Sequence, residues 1–132
     1  MPSVHHWIRI ERPAEAVWDA AADVGALHTR LVPGFVVATE MLEDVAHPTR
    51  RVTFGDGTIV DEVIVDIDRG RRRLVWSVQG VTHHNGVLTV QADGTGALVN
   101  WTADVLPAEL AERISPMMAL GLSTMKRHLE RG

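Results

Sequence analysis

The segment Pro107–Arg131, PAELAERISPMMALGLSTMKRHLER, decides the fold class because it carries the clearest helical period in the chain. Its apolar residues lie three or four positions apart, which is typical of one long amphipathic helix. These residues are Leu110, Ile114, Met117, Met118, Leu122, Met125 and Leu129. Pro116 lies inside the segment, and we expect it either to kink the helix or to begin a new turn with Ser115 as its cap.

The chain before this helix changes period several times. Val4–Glu11 alternates like a strand, Pro13 to about Ala22 is rich in helix formers, and Ala26–Leu31 predicts a second short helix. Turn sequences then separate six further strand candidates. They are Phe35–Glu43, Arg50–Phe54, Ile59–Ile67, Arg73–Gln79, His84–Gln91 and Ala97–Val105.

This order of elements predicts an α+β domain. Parallel neighbours would need a crossover after every strand, so the economical arrangement is a seven-stranded antiparallel sheet curled around the long C-terminal helix. The two short helices after the first strand would close one end of the sheet. One helix of modest side chains cannot fill such a sheet, and we therefore expect a cavity.

Composition limits the classes of function. With 132 residues and 45% hydrophobic content, residues 1–132 fit one domain, and a net charge of −4 argues against nucleic acid or membrane insertion. The absence of cysteine excludes disulfides, thiolate metal sites and a cysteine nucleophile. The first twenty residues have no apolar signal region, so we expect a cytoplasmic protein. We also expect no cofactor and no metal, because no phosphate loop or metal-binding motif is present.

Four stretches of the sequence carry a resemblance to a known family. They are IRIERPAEAVWDAAAD at 8–23, LVPGF at 31–35, DEVIVDIDRGRRRLVWSV at 61–78, and VNWTADVLP at 99–107 followed by the long helix. In their order and spacing they resemble the polyketide cyclase and dehydrase-like branch of the START-like (SRPBCC) superfamily. The resemblance spans almost the whole chain. It implies the helix-grip fold and an internal pocket for a hydrophobic small molecule.

Glu62 is the first candidate catalytic residue. The resemblance implies that its side chain points into the cavity and reaches a polar group of the ligand. Alternation along the strand argues the opposite, because Val63, Val65 and Ile67 form the more apolar set and would place Glu62 in solvent. Both orientations stay open at this point.

His84 is the second candidate. It shares its strand face with Gly86, Leu88 and Val90, and an imidazole among apolar neighbours favours the neutral form that can accept a proton. Among the other histidines, His6 is a candidate of the same kind. For His84, a hydrogen-bonded histidine at the rim of the sheet stays open as the alternative interpretation.

The sequence does not decide which side chains of the last strand face the cavity. Apolarity favours Trp101 inside, whereas the family register implies that Asn100 and Thr102 line the cavity and that Asn100 lies near Glu62 and His84.

The apolar wall is predicted by strand and helix positions. It comprises Trp76, Val78, Leu88, Met117, Gly121 and Met125. Glycine weakens a helix by up to about 1 kcal/mol relative to alanine, so Gly121 suggests that its missing side chain leaves room for something else.

The leading hypothesis is that the protein binds a hydrophobic or aromatic small molecule. It extends to a cyclase or dehydratase in which Glu62 or His84 moves a proton at a carbon next to a carbonyl. A non-catalytic carrier or sensor would need only the same pocket. A third hypothesis is a protein-interaction module, with a homodimer as one form, whose outer sheet face exposes Trp7, Val63, Val65 and Trp101.

Overall fold

The computed structural model describes residues 2–131. It begins with strand β1 (Ser3–Ile10) and helix α1 (Ala14–Ala22), followed by a short 3-10 turn (Val24–Ala26) and a π-helical turn (Leu27–Leu31). Six strands and one long helix follow. They are β2 (Val36–Met41), β3 (Thr49–Phe54), β4 (Ile59–Asp68), β5 (Arg73–Val78), β6 (His83–Asp93), β7 (Gly96–Leu106) and α2 (Glu109–Arg131).

All seven strands form one antiparallel sheet in the order β1-β7-β6-β5-β4-β3-β2. Consecutive strands from β2 to β7 are neighbours because short turns join them, and β1 closes against β7. Helix α2 packs on β1 and β7, α1 packs on β6 and β7, and the π-helical turn packs on α1 and on β2 at the opposite edge of the sheet. The predicted α+β architecture with the helix-grip arrangement is therefore confirmed.

Helix α2 is continuous from Glu109 to Arg131 and includes Pro116. The Ser115 hydroxyl is hydrogen-bonded with Nε2 of His6 on β1, at 2.9 Å. The expectation of a new turn capped by Ser115 is therefore wrong. This contact instead joins the first half of α2 to the edge of the sheet.

The buried apolar residues form two clusters on the concave side of the sheet. The larger cluster joins α1, the central strands and the second half of α2 around Trp18, which is fully buried. The smaller one joins β1, β7 and the first half of α2 through Ile114 and Met118. Trp101 packs against both clusters, so it lies where they meet.

Strand β4 contains a bulge at Val65. Its register with β5 shifts between Ile64, which pairs with Trp76, and Asp66, which pairs with Val75. One extra residue changes which side chains face the core. Glu62 and Ile64 are buried before the bulge, while Val65 is 58% exposed, so the expectation that Val63 and Val65 face inward is wrong. After the bulge, Ile67 pairs with the buried Leu74 and shares the face of Glu62 and Ile64, although it is itself exposed.

Across residues 2–131, neither helix combines the length and apolarity needed to cross a membrane.

Candidate functional site

A cavity of about 440 Å³ lies between the concave face of the sheet, α2 and the turns that follow α1. Its wall is mostly apolar, with three polar side chains inside: Arg50, Glu62 and His84. Asp56, Thr58 and Arg113 also line it and are exposed, so they lie at its rim. The arrangement is typical of small-molecule sites, where a few polar groups converge in an apolar pocket.

Glu62 and Arg50 form a buried ion pair inside this cavity. Nε of Arg50 donates a hydrogen bond to Oε1 of Glu62 at 2.8 Å, and the two side chains are only 3% and 8% exposed for Arg50 and Glu62. Nη1 of Arg50 also donates to the carbonyl oxygen of Val24 in the 3-10 turn, at 3.2 Å. Pairing is what makes the burial of either charge tolerable.

The hairpin between β3 and β4 positions this pair. Arg50 is the cross-strand partner of Glu62, and Arg51 is the partner of Asp61. Adjacent strand residues point to opposite faces, so one Arg–acid pair faces the cavity and the other faces solvent. Sequence reasoning missed Arg50, although two arginines and two acids lie at matching distances from the Gly55–Gly57 turn.

His84 lies on β6 in the same row of the concave face. Glu62 pairs with Val78, and because Ser77 pairs with Asn85, Val78 stands next to His84. Two strand spacings therefore separate Glu62 from His84, about 10 Å between their backbones. Burial lowers the pKa of His84 below its ordinary value of 6.5, and the neighbouring charge of His83 lowers it further. A neutral imidazole able to accept a proton therefore faces the cavity at neutral pH.

Aromatic rings cover much of the wall. The rings of Trp76 and Trp101 lie 6.0 Å apart at 55°, and Phe35 contacts Phe54 edge-on at 5.5 Å. The guanidinium of Arg50 lies 5.7 Å from the ring centre of Trp76, within the range of a cation–π interaction. These rings present flat apolar surfaces close to the buried ion pair.

The structure brings most of the predicted site residues to one place. Glu62, His84, Trp76, Val78, Leu88, Met117 and Met125 all line the cavity. The inward orientation of Glu62, which the family resemblance implied, is the one found. Its catalytic role, like that of His84, stays a proposal.

Asn100 and Thr102 lie on the convex face of the sheet, contrary to the family register. Trp101 between them lines the cavity, and alternation turns its two neighbours outward. Oδ1 of Asn100 is hydrogen-bonded with Nε2 of His5 at 3.0 Å, far from the ion pair. The expected cluster of Asn100 with Glu62 and His84 is therefore wrong, as is Trp101 in an outer patch, although Trp7 is 63% exposed on that face.

Gly121 leaves room for aromatic rings of the protein itself. A Cβ added there would lie 3.0 Å from Cζ3 of Trp101 and 3.1 Å from Cε2 of Phe35. The expectation that this glycine opens space for a ligand is thus corrected, because two cavity-lining rings occupy that space. The hydrogen bond of His6 with Ser115 links β1 to α2.

Comparison with known proteins agrees with this fold. The chain is similar to a protein of Thermobifida fusca solved by NMR, at 28% identity and a TM-score of 0.76 over 99% of this chain and 95% of that one. It is also similar to the di-domain ARO/CYC protein BexL of the BE-7585A biosynthetic pathway, at 18% identity and a TM-score of 0.81, covering 98% of this chain and 47% of BexL. The chain is also similar to a truncated norcoclaurine synthase from Thalictrum flavum, at 17% identity and a TM-score of 0.69 over 96% of this chain and 92% of that one.

No curated protein matches the sequence. The model of one family, described as "Polyketide cyclase / dehydrase and lipid transport", matches residues 1–130. That match spans α1, both helical turns, all seven strands and almost all of α2. The chain therefore belongs to the polyketide cyclase / dehydrase and lipid transport family.

Proposed function

We propose that the protein binds a hydrophobic small molecule with aromatic character in the cavity between the sheet and α2. The observation that carries this proposal is the cavity of about 440 Å³, apolar over most of its wall and holding a buried ion pair and a histidine. That volume is within the range of ordinary ligand sites. Burial of a ligand's apolar surface there supplies the free energy of binding.

The aromatic wall supports a flat, ring-bearing ligand. Trp76 and Trp101 offer ring faces, and aromatic pairs add about 0.5–1.5 kcal/mol beyond simple area burial. The family description names polyketide cyclases and lipid transport, which fits ligands of this kind. A cytoplasmic location and a homodimer remain expectations from the sequence.

Two substitutions on one strand test binding. Val78→Phe adds bulk inside the cavity, whereas Val75→Phe adds the same bulk on the opposite face of β5. We expect Val78→Phe to weaken binding of the fluorescent apolar probe N-phenylnaphthylamine about tenfold or more, and Val75→Phe to leave it unchanged. Equal effects of the two variants, or no probe binding by the wild type, would overturn the proposal.

A second candidate function is proton transfer at a carbon next to a carbonyl, as in a cyclase or dehydratase. The observation favouring it is the lowered pKa of His84, which provides a neutral base facing the cavity. Arg50 lines the same cavity on β3, three strands from His84, and its guanidinium would donate to the carbonyl oxygen of a ligand that reaches both residues as negative charge develops there. Glu62 would hold that guanidinium in place.

Hydrogen exchange into a simple ketone tests this candidate. Tetralone, a bicyclic ketone, is incubated with the protein in heavy water, and NMR follows deuterium entering the carbon next to the carbonyl. We expect the wild type to accelerate exchange and His84→Gln to lose a hundredfold or so of that acceleration. Exchange at the buffer rate, with tetralone shown to bind, would leave the carrier or sensor as the function.

A further inference from the structure

We propose that the Arg50–Glu62 pair makes this cavity select uncharged ligands that carry a hydroxyl group over ligands that carry a carboxylate. The inference rests on the proposed binding function and names the ligand chemistry within it. Its basis is the geometry of the pair: both charged groups line the cavity, both are buried, and each is already compensated by the other.

The pair leaves one nitrogen of Arg50 and one oxygen of Glu62 without a hydrogen-bond partner among residues 2–131. Arg50 uses Nε toward Oε1 of Glu62 and Nη1 toward the Val24 carbonyl. Within residues 2–131, no hydrogen bond engages Nη2 of Arg50 or Oε2 of Glu62, and neither atom is sealed from the cavity. A hydroxyl both accepts and donates, so one hydroxyl can satisfy Nη2 and Oε2 together.

A carboxylate fits the same place poorly. It has no proton to donate to Oε2 of Glu62, and it would bring a second negative charge beside a carboxylate that already neutralises Arg50. The anion would also lose its hydration on entering an apolar cavity, a large cost when no unpaired cation compensates it. Asp56 and Arg113, the other ionisable carboxylate and guanidinium of the wall, are exposed at the rim, where water and salt screen them.

Naphthol and naphthoate provide matched probes, because they share one ring system. At neutral pH a phenol-type hydroxyl is uncharged and an aromatic carboxyl is ionised. Each compound is titrated against bound N-phenylnaphthylamine, and the ratio of the two dissociation constants is compared between variants. We expect the wild type to bind naphthol more tightly. Because naphthoate is the more polar compound in any case, the change of this ratio on substitution carries the test.

Glu62→Gln removes the compensating charge and keeps the shape of the side chain. It should strengthen the binding of naphthoate relative to that of naphthol by about tenfold or more, because the carboxylate of naphthoate then meets an uncompensated guanidinium. Asp61→Asn is the matched control: it removes the neighbouring acid of the same strand, which pairs with Arg51 on the solvent side. The control should leave the ratio unchanged.

Arg50→Gln should shift the ratio in the opposite direction, because the remaining Glu62 charge should weaken the binding of naphthoate further. This variant keeps the test decisive if Glu62→Gln loses its cooperative unfolding. The inference would be overturned if both variants shifted the ratio in the same direction, or if neither variant shifted it. The cavity would remain a binding site in either case. Failure of the wild type to bind N-phenylnaphthylamine and naphthol would overturn the proposed function as well.

Discussion

The indole ring of Trp76 lies directly against Gly86, its partner across the β5–β6 pair, so that a Cβ added at Gly86 would be 2.4 Å from Cε2 of the ring. No real Cβ can occupy that distance. The ring therefore lies flat over the backbone of β6, and Trp76 also lines the cavity. The orientation of one wall of the site thus depends on a missing side chain in the neighbouring strand.

Gly86→Ala should displace the Trp76 ring. We expect a loss of about 1–3 kcal/mol in the free energy of unfolding, the usual cost of overpacking a core, and weaker binding of N-phenylnaphthylamine. Urea unfolding followed by circular dichroism measures the first effect. Gly70→Ala is the control, because its Cβ would lie 3.5 Å from Asp68, an ordinary contact. A Gly86→Ala variant as stable as the wild type would contradict the close contact.

The two Arg–acid pairs of the β3–β4 hairpin should differ strongly in energy. Arg50→Gln breaks the buried pair and is expected to cost about 3–5 kcal/mol, because it leaves the Glu62 charge uncompensated. Arg51→Gln breaks the solvent-facing pair with Asp61, whose side chains are 47% and 31% exposed for Arg51 and Asp61, and should cost about 0–1 kcal/mol. Unfolding of both variants in guanidinium chloride gives the comparison. Similar losses for the two would argue against the burial of the Arg50–Glu62 pair.

His84 should make the stability depend on pH. Its pKa in the folded protein lies below 6.5, so between the two values the unfolded chain binds more protons than the folded one. The free energy of unfolding should therefore fall as the pH drops below about 6.5 and rise again toward neutral pH. Carboxylates with a lowered pKa, such as Asp61 and Asp104, affect the free energy of unfolding at more acidic pH, because their ordinary pKa is 3.8.

Thermal unfolding at a series of pH values measures this slope, and NMR titration of the imidazole measures the pKa directly. His84→Gln should flatten the slope on the acidic side of pH 6.5. A His84 signal that titrates at or above its ordinary value would refute the proposed neutral base.

Gly121→Leu should destabilise the protein although it improves helix propensity. The gain from replacing glycine is at most about 1 kcal/mol. The new side chain would meet the rings of Trp101 and Phe35 at distances that already leave no room for a Cβ without movement. We expect a net loss of about 1–3 kcal/mol in urea unfolding. Ala119→Leu, on the exposed face of the same helix, is the control and should be nearly neutral.

The fold was predictable because its signals are local. The period of Pro107–Arg131 specified the long helix, and the turn sequences separated strands whose ends lie within a few residues of those observed. The facing of Glu62 was not decided by alternation, since the bulge at Val65 inserts one residue that no apolar pattern announces. On β7 the opposite happened: apolarity placed Trp101 correctly, and the family register did not.

Arg50 and Gly121 show why the details of the site escaped prediction. The role of Arg50 follows from the register of β3 against β4, a relation between residues on two strands that a pass along one strand does not examine. The role of Gly121 depends on Trp101 and Phe35, which approach it from distant parts of the chain. Such three-body packing has no signature in local spacing.

The length of the β3–β4 turn determines which residues of the two strands pair, and therefore which polar groups face the cavity. Its length makes Arg50 meet Glu62, and a slip of one residue in this pairing would turn the side chains of one strand to the other face. An insertion or deletion of a single residue at Gly55–Gly57 would thus exchange the buried pair for a mismatch, with no change to any residue of the site itself. We therefore expect the length of this surface turn to be under the same constraint as the cavity, together with Gly55, whose added Cβ would lie 2.5 Å from the Gly34 carbonyl oxygen, and Gly57, whose φ is +92°.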